Sequence, residues 1–187
     1  MKTLTLLFAV LLGVVANASE PLPENSLYHL TDTFTNQDAA EHRLDLYRGH
    51  PVMITMLYGS CRMSCPLLID TMRAVERSLS EGERAQLRVL LVSIDHENDT
   101  PEALAKLASE RRIDTSRWTL ARADARTVRK LAALLGVQYR KLPEGGYNHS
   151  SIVTVLGPSG TIEAQSSIIG QVDPELVAAI ERSTNTR

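Results

Sequence analysis

The sequence predicts an α/β fold, with a central mixed sheet flanked by helices and an N-terminal β-hairpin as an extension. Three observations predict it. The runs 52–57 (VMITML) and 87–94 (LRVLLVSI) are short, almost wholly apolar and rich in β-branched residues, as strands buried on both faces are. Helical patterns with recognisable start signals follow each of them. Late in the chain, 151–156 and 161–167 alternate around Gly157-Pro158-Ser159-Gly160, which is a hairpin signal.

The elements follow in order. Residues 27–30 read as a short strand, and a hairpin is expected through 36–44. After the strand 52–57, a helix is expected over 65–79. Pro66 suits its first turn, where a missing N–H costs little, and Leu67, Leu68, Met72, Val75 and Leu79 keep one face apolar. The second buried strand is 87–94. Thr100-Pro101-Glu102 opens a helix to about residue 112, with threonine as cap and proline at its first position. Residues 118–121 read as a short strand, Asp124 caps a helix to Leu135, and Gly136 ends it. Asp173-Pro174-Glu175 starts a last helix to about residue 182. Strands separated by helices imply a parallel core, and the late hairpin adds antiparallel strands. This is the order of a thioredoxin-like fold with an inserted helix. Its chemistry is expected in the loops at the carboxyl ends of the strands.

The chain has 187 residues. Lys2 followed by an apolar stretch over 4–15 and Ala16-Asn17-Ala18 reads as a cleavable secretory signal over 1–18. The alternative is an uncleaved anchor facing the same compartment. No cysteine follows the apolar stretch before position 61, which excludes a lipid anchor on cysteine. Residues 19–26 read as a flexible lead-in and 27–187 as one domain, a length sufficient for a core. The formal charge is −2, from 20 basic and 22 acidic residues. It becomes −3 without Lys2 and gives no sign of a nucleic-acid surface or polybasic membrane patch. The expected compartment is the periplasm, an oxidising space.

Cys61 and Cys65 are the only cysteines, in Tyr58-Gly59-Ser60-Cys61-Arg62-Met63-Ser64-Cys65-Pro66. They fall between a strand and a helix, where helix N–H groups and the dipole favour thiolates. A structural disulfide there would close a loop of only about five residues. That is worth about 2 kcal/mol, against about 4.7 kcal/mol for a hundred-residue loop. Two active readings remain. One is a redox dithiol, with Cys61 attacking and Cys65 resolving. The other is a soft-metal site, since thiolates select copper(I) and imidazole suits both copper(I) and copper(II). Of the five histidines, His96 lies at a strand end near the expected site. His149 lies after the loop 143–146 and before a strand. His29, His42 and His50 lie among surface-like residues.

Together these motifs resemble the Sco/SenC family, thioredoxin-like copper proteins that help assemble cytochrome c oxidase. The resemblance spans about 26–183. It rests on Cys61-x-x-x-Cys65-Pro66 after an apolar strand, on Val92-Ser93-Ile94-Asp95 followed by Asp99-Thr100-Pro101-Glu102, and on Asn148-His149-Ser150 before a strand ending in Gly157-Pro158-Ser159-Gly160. It implies one copper ion held by Cys61, Cys65 and His149, with Asp95 as a supporting residue. It also implies an oxidase subunit as copper-accepting client, and the need for reduced thiols in an oxidising compartment implies a thiol reductase as partner. The chain departs from the family pattern at Ser60, Arg62, Met63, His96 and Asn148. Arg62 would favour thiolates, and Met63 offers a soft thioether.

Overall fold

The computed structural model describes residues 21–61 and 64–185; the leader expected over 1–18 and the loop residues Arg62 and Met63 lie outside them. Nine strands and five α-helices fall within the described residues. Strands β1 (Phe34–Asn36) and β2 (Glu41–His42) form the N-terminal hairpin. Then come β3 (Val52–Leu57), α1 (Ser64–Ser78), α2 (Glu81–Gln86), β4 (Arg88–Ser93), α3 (Pro101–Glu110), β5 (Trp118–Arg122) and α4 (Ala125–Leu135). A small hairpin, β6 (Tyr139–Lys141) and β7 (Tyr147–His149), precedes β8 (Val153–Leu156), β9 (Ile162–Ser166) and α5 (Pro174–Asn185).

The main sheet has the order β2-β1-β5-β4-β3-β8-β9. Strands β3, β4 and β5 are parallel, while β8 and β1 join them antiparallel. This is the mixed thioredoxin-like sheet that the sequence predicts. All six residues of β3 are buried, because both faces of the sheet are covered. Val52, Ile54 and Met56 face a layer with α4 and the N-terminal segment. Met53 and Leu57 face a layer of α1, α3 and α5. In α1, Leu68, Ile69, Met72 and Val75 are almost wholly buried, each contributing about 1.5–3 kcal/mol. No helix among the described residues is long and apolar enough to cross a membrane.

Several local signals read in the sequence have their expected structure. Thr100 and Asp124 accept from the N–H groups of Ala103 and Thr127, and Gly136 ends α4 in the left-handed region at φ 68°. Residues 27–30 differ from expectation. Leu27–His29 is a 3-10 turn rather than a strand, because the Ser26 side chain accepts from Tyr28 N–H and Leu30 N–H closes back on Leu27. Local bonds there replace a ladder. Two further elements were not expected: α2, started by a reciprocal Ser80–Glu83 capping box, and the β6–β7 hairpin.

Two topological facts build the site. The carboxyl ends of parallel β3 and β4 lie side by side, with Leu57 opposite Ser93. Because β8 runs antiparallel to β3, pairing Val153 with Thr55, its start lies at that same edge. The chain just before β8, which includes His149, is thereby delivered beside the chain just after β3, which includes Cys61.

Candidate metal centre

Cys61 and Cys65 flank the start of α1 and are 9% and 4% exposed. They are not joined by a disulfide. The Cys65 backbone N–H points at Cys61 Sγ at 3.3 Å, and the Ser64 hydroxyl lies 3.5 Å from the same sulfur. A first-turn N–H aimed at a sulfur favours its thiolate. Cys65 experiences the opposite balance. Burial, and secondly its hydrogen bond with Cys61, push its thiol up to about 12. Without a cation the pair therefore keeps a proton on Cys65; a bound cation would displace it.

The third group is His149, at the end of β7. Its Nε2 lies 3.8 Å from Cys65 Sγ. Its Nδ1 lies 3.1 Å from the Ser150 carbonyl oxygen. A carbonyl only accepts, so Nδ1 carries the proton and the Nε2 lone pair faces the sulfur. Burial, partly offset by the Ser150 bond, holds the imidazole below its ordinary pKa. The ring is thus neutral and ready to donate at neutral pH.

One donor atom from each of Cys61, Cys65 and His149 lies within 4.8 Å of the others. A metal holds sulfur at about 2.3 Å and imidazole nitrogen at about 2.0 Å, taking zinc's distances as a guide, so three donors on one ion lie roughly 3.5–4 Å apart. The 3.8 Å between Cys65 Sγ and His149 Nε2 already fits, and shifts of up to about 1 Å bring all three onto one ion. The donor set is rich in soft sulfur, and the three donors among the described residues fall short of a closed tetrahedral zinc site. His96, at the β4 end, does not belong to this convergent set of described residues. Met63 lies outside the described residues. His29 and His50 bond elsewhere, to the carbonyls of Pro23 and Gln86, and His42 packs between Phe34 and Tyr47.

Asp95 is not a member of the triad either. It is buried, and its two oxygens accept from the Asn98 side-chain amide at 3.0 and 2.9 Å. One of them also lies 3.5 Å from the Tyr147 hydroxyl. Asp99, also buried, accepts from Gly59 N–H at 2.8 Å and from the Ser93 hydroxyl. Burial, against those bonds, pushes its carboxyl above the ordinary carboxylate range. Asp99 Oδ1 crowds Gly59 so closely that a Cβ there would lie 2.6 Å away. Tyr58 presents its ring edge-on to His149, with centroids 5.8 Å apart, and packs against Tyr147 at 5.5 Å.

Sequence reasoning did not identify Tyr58, Tyr147 and Asp99 as neighbours that shape the site. Tyr147 and His149 lie on one face of β7, but a three-residue strand is too short for that period to be read from the sequence. The Asp99–Gly59 bond is tertiary and has no local signature.

Comparison with known proteins places these observations in a family. The family described as SCO1/SenC matches residues 23–184. The chain is similar to a protein of Bacillus subtilis (strain 168) described as a SCO1 protein homolog, at 26% identity over 133 residues, covering 70% of this chain and 68% of that one. Its fold is similar to that of Bradyrhizobium japonicum ScoI solved with copper bound: TM-score 0.69, 18% identity, 81% of this chain and 96% of that one. It is also similar to BsSco, described as having a disulfide switch and as a member of the Sco family of cytochrome c oxidase assembly proteins: TM-score 0.70, 20% identity, 83% and 92% coverage.

Proposed function

The chain belongs to the SCO1/SenC family, and from that premise we propose that it is a copper-binding metallochaperone. Cys61 and Cys65 supply thiolates, His149 supplies the imidazole, and Asp95 supports the site from behind. The observation that carries this reading is the convergence of three soft donors within 4.8 Å at one sheet edge. A structural neighbour solved with copper bound supports the choice of metal, and the chemistry agrees: two thiolates favour copper(I), and the imidazole extends the site to copper(II). The client is an oxidase-type subunit that takes the ion by ligand exchange, a reading supported by the oxidase-assembly role stated for BsSco. The protein works in the periplasm as a single domain over 27–187, after a leader over 1–18 is cleaved and a lead-in over 19–26. A thiol reductase keeps the pair reduced there.

Copper titration of the reduced protein tests the site. Cys61→Ser should weaken copper at least about 100-fold, since even partners outside the coordination sphere cost roughly 10–100-fold. Unchanged affinity would sink the assignment. Copper(II)-loaded wild type should show intense sulfur-to-copper absorption that both cysteine variants lack.

One observation favours a second reading, thiol–disulfide exchange with a client's cysteines. The Cys65 N–H aimed at Cys61 Sγ favours Cys61 as the attacking thiolate, and BsSco is described as having a disulfide switch. His149→Ala separates the readings. A variant that loses copper(II) but exchanges thiols at the wild-type rate, and still supports the client, makes redox chemistry the primary role.

A further inference from the structure

The hairpin that carries His149 stands outside the seven-stranded sheet, as a separate two-stranded sheet of β6 and β7. Side chains tether it over the thiols. Lys141 and Tyr147 face each other across the hairpin, two residues along each strand from the Tyr139–His149 pair. Both reach the same segment, residues 94–100 after β4. Lys141 Nζ contacts Glu97 Oε2 at 2.5 Å, and the Tyr147 hydroxyl faces Asp95 Oδ1. The far end of that segment reaches the other half of the site, where Asp99 accepts from Gly59 N–H just before Cys61.

Three alternate acidic residues of one segment thus bond to opposite halves of the centre. Asp95 and Glu97 engage the imidazole side, and Asp99 engages the thiol side. We infer that this segment is a clamp that sets the gap between His149 Nε2 and the two sulfurs, with Glu97 and Lys141 as positioning residues for His149. This rests on the copper reading above. Glu97 and Lys141 suit the role because both side chains are 54% exposed. An ion pair so exposed contributes little to folding, so its removal tests position separately from stability. Asp95 is instead buried and fixed by Asn98, and serves as the rigid anchor beside the adjustable pair.

Three variants of the full chain test the clamp: Glu97→Lys, Lys141→Glu and the double swap. Each is loaded with copper(II). Nitrogen hyperfine structure in electron paramagnetic resonance reports the imidazole, and the rate of copper removal by EDTA reports how firmly it is held. Each single variant should weaken the nitrogen signal and release copper roughly three- to fivefold faster, the most that so exposed a tether transmits. Its melting temperature should stay within about 4 °C of wild type. The double swap restores the pair with reversed polarity and should return both readouts to within about twofold of wild type. Singles that release copper at the wild-type rate would overturn the clamp, as would a double variant no better than its parents. Wild type without sulfur-to-copper absorption would overturn the copper reading itself, a result seen before any of these variants is compared.

Discussion

The thiol half and the imidazole half of the centre are built in different ways. Cys61 follows β3, whose six buried residues pair with β4 on one side and β8 on the other. Cys65 sits in the first turn of α1, which buries its apolar face against the same sheet. Both sulfurs inherit the rigidity of the core. His149 ends a three-residue strand of a two-stranded sheet; Tyr58 packs on its ring, and the hairpin meets the chain after β4 through Tyr147–Asp95 and Lys141–Glu97. Elements with few backbone pairings belong to the less stable part of a fold. The contrast teaches that the sulfur pair is part of the fold, whereas the imidazole is attached to it by tertiary contacts.

Substitutions that strike one half alone can break or sharpen this contrast. Leu68→Ala strikes the thiol half. Leu68 is a fully buried residue of α1, and its truncation should cost about 2–5 kcal/mol, measured by denaturant unfolding. Copper loss should follow only to the extent that the fold is lost. Gly146→Ala strikes the imidazole half. Gly146 sits at φ +75°, and an added Cβ would lie 3.2 Å from the Tyr58 hydroxyl. This should cost about 1–2 kcal/mol yet weaken copper(II) more than Leu68→Ala does in folded protein. If the two variants lower copper affinity in proportion to stability, the halves are not separable.

The smallest effect belongs to Asp32→Asn, away from both halves. Asp32 takes a hydrogen bond from Lys130 Nζ at 2.7 Å, with Thr127 adding another, and the Lys130 bond holds its carboxyl below the ordinary range. A depressed carboxylate stabilises the fold above its unfolded pKa, and that contribution disappears as pH falls through the folded value. Lys130 is partly exposed, so the contribution is discounted to about 0.5–1 kcal/mol. Wild type should therefore exceed the variant by that margin at pH 6 and lose it below about pH 4. Copper binding at neutral pH should be unaffected.

Much of this architecture was legible because it is locally encoded. The apolar run 52–57 coincides with β3, and Asp124 and Gly136 bracket α4. What escaped has a physical reason in each case. Leu27–His29 carries the apolar residues of a strand, but the Ser26 cap folds it into a turn. Strands β6 and β7, of three residues each, are too short for a period to show, although Gly145-Gly146 marks the turn between them. Cys61, Cys65 and His149 were legible as residue types within a resemblance. Their convergence was not, because residues 65 and 149 meet through β8 lying antiparallel on β3. The roles of Asp99 and Tyr147 depend on partners 40 and 52 positions away.

The hydrogen bond from His149 Nδ1 to the Ser150 carbonyl has an electrostatic corollary. With the ring already neutral, only the sulfurs shed protons when cargo arrives. Two thiolates and one uncharged ring around a cupric ion sum to zero, whereas the same shell around a cuprous ion carries one negative charge. Buried surroundings disfavour uncompensated charge, so this charge balance would work against the preference of thiolates for copper(I), and the monovalent state would gain most from a cationic neighbour at the rim.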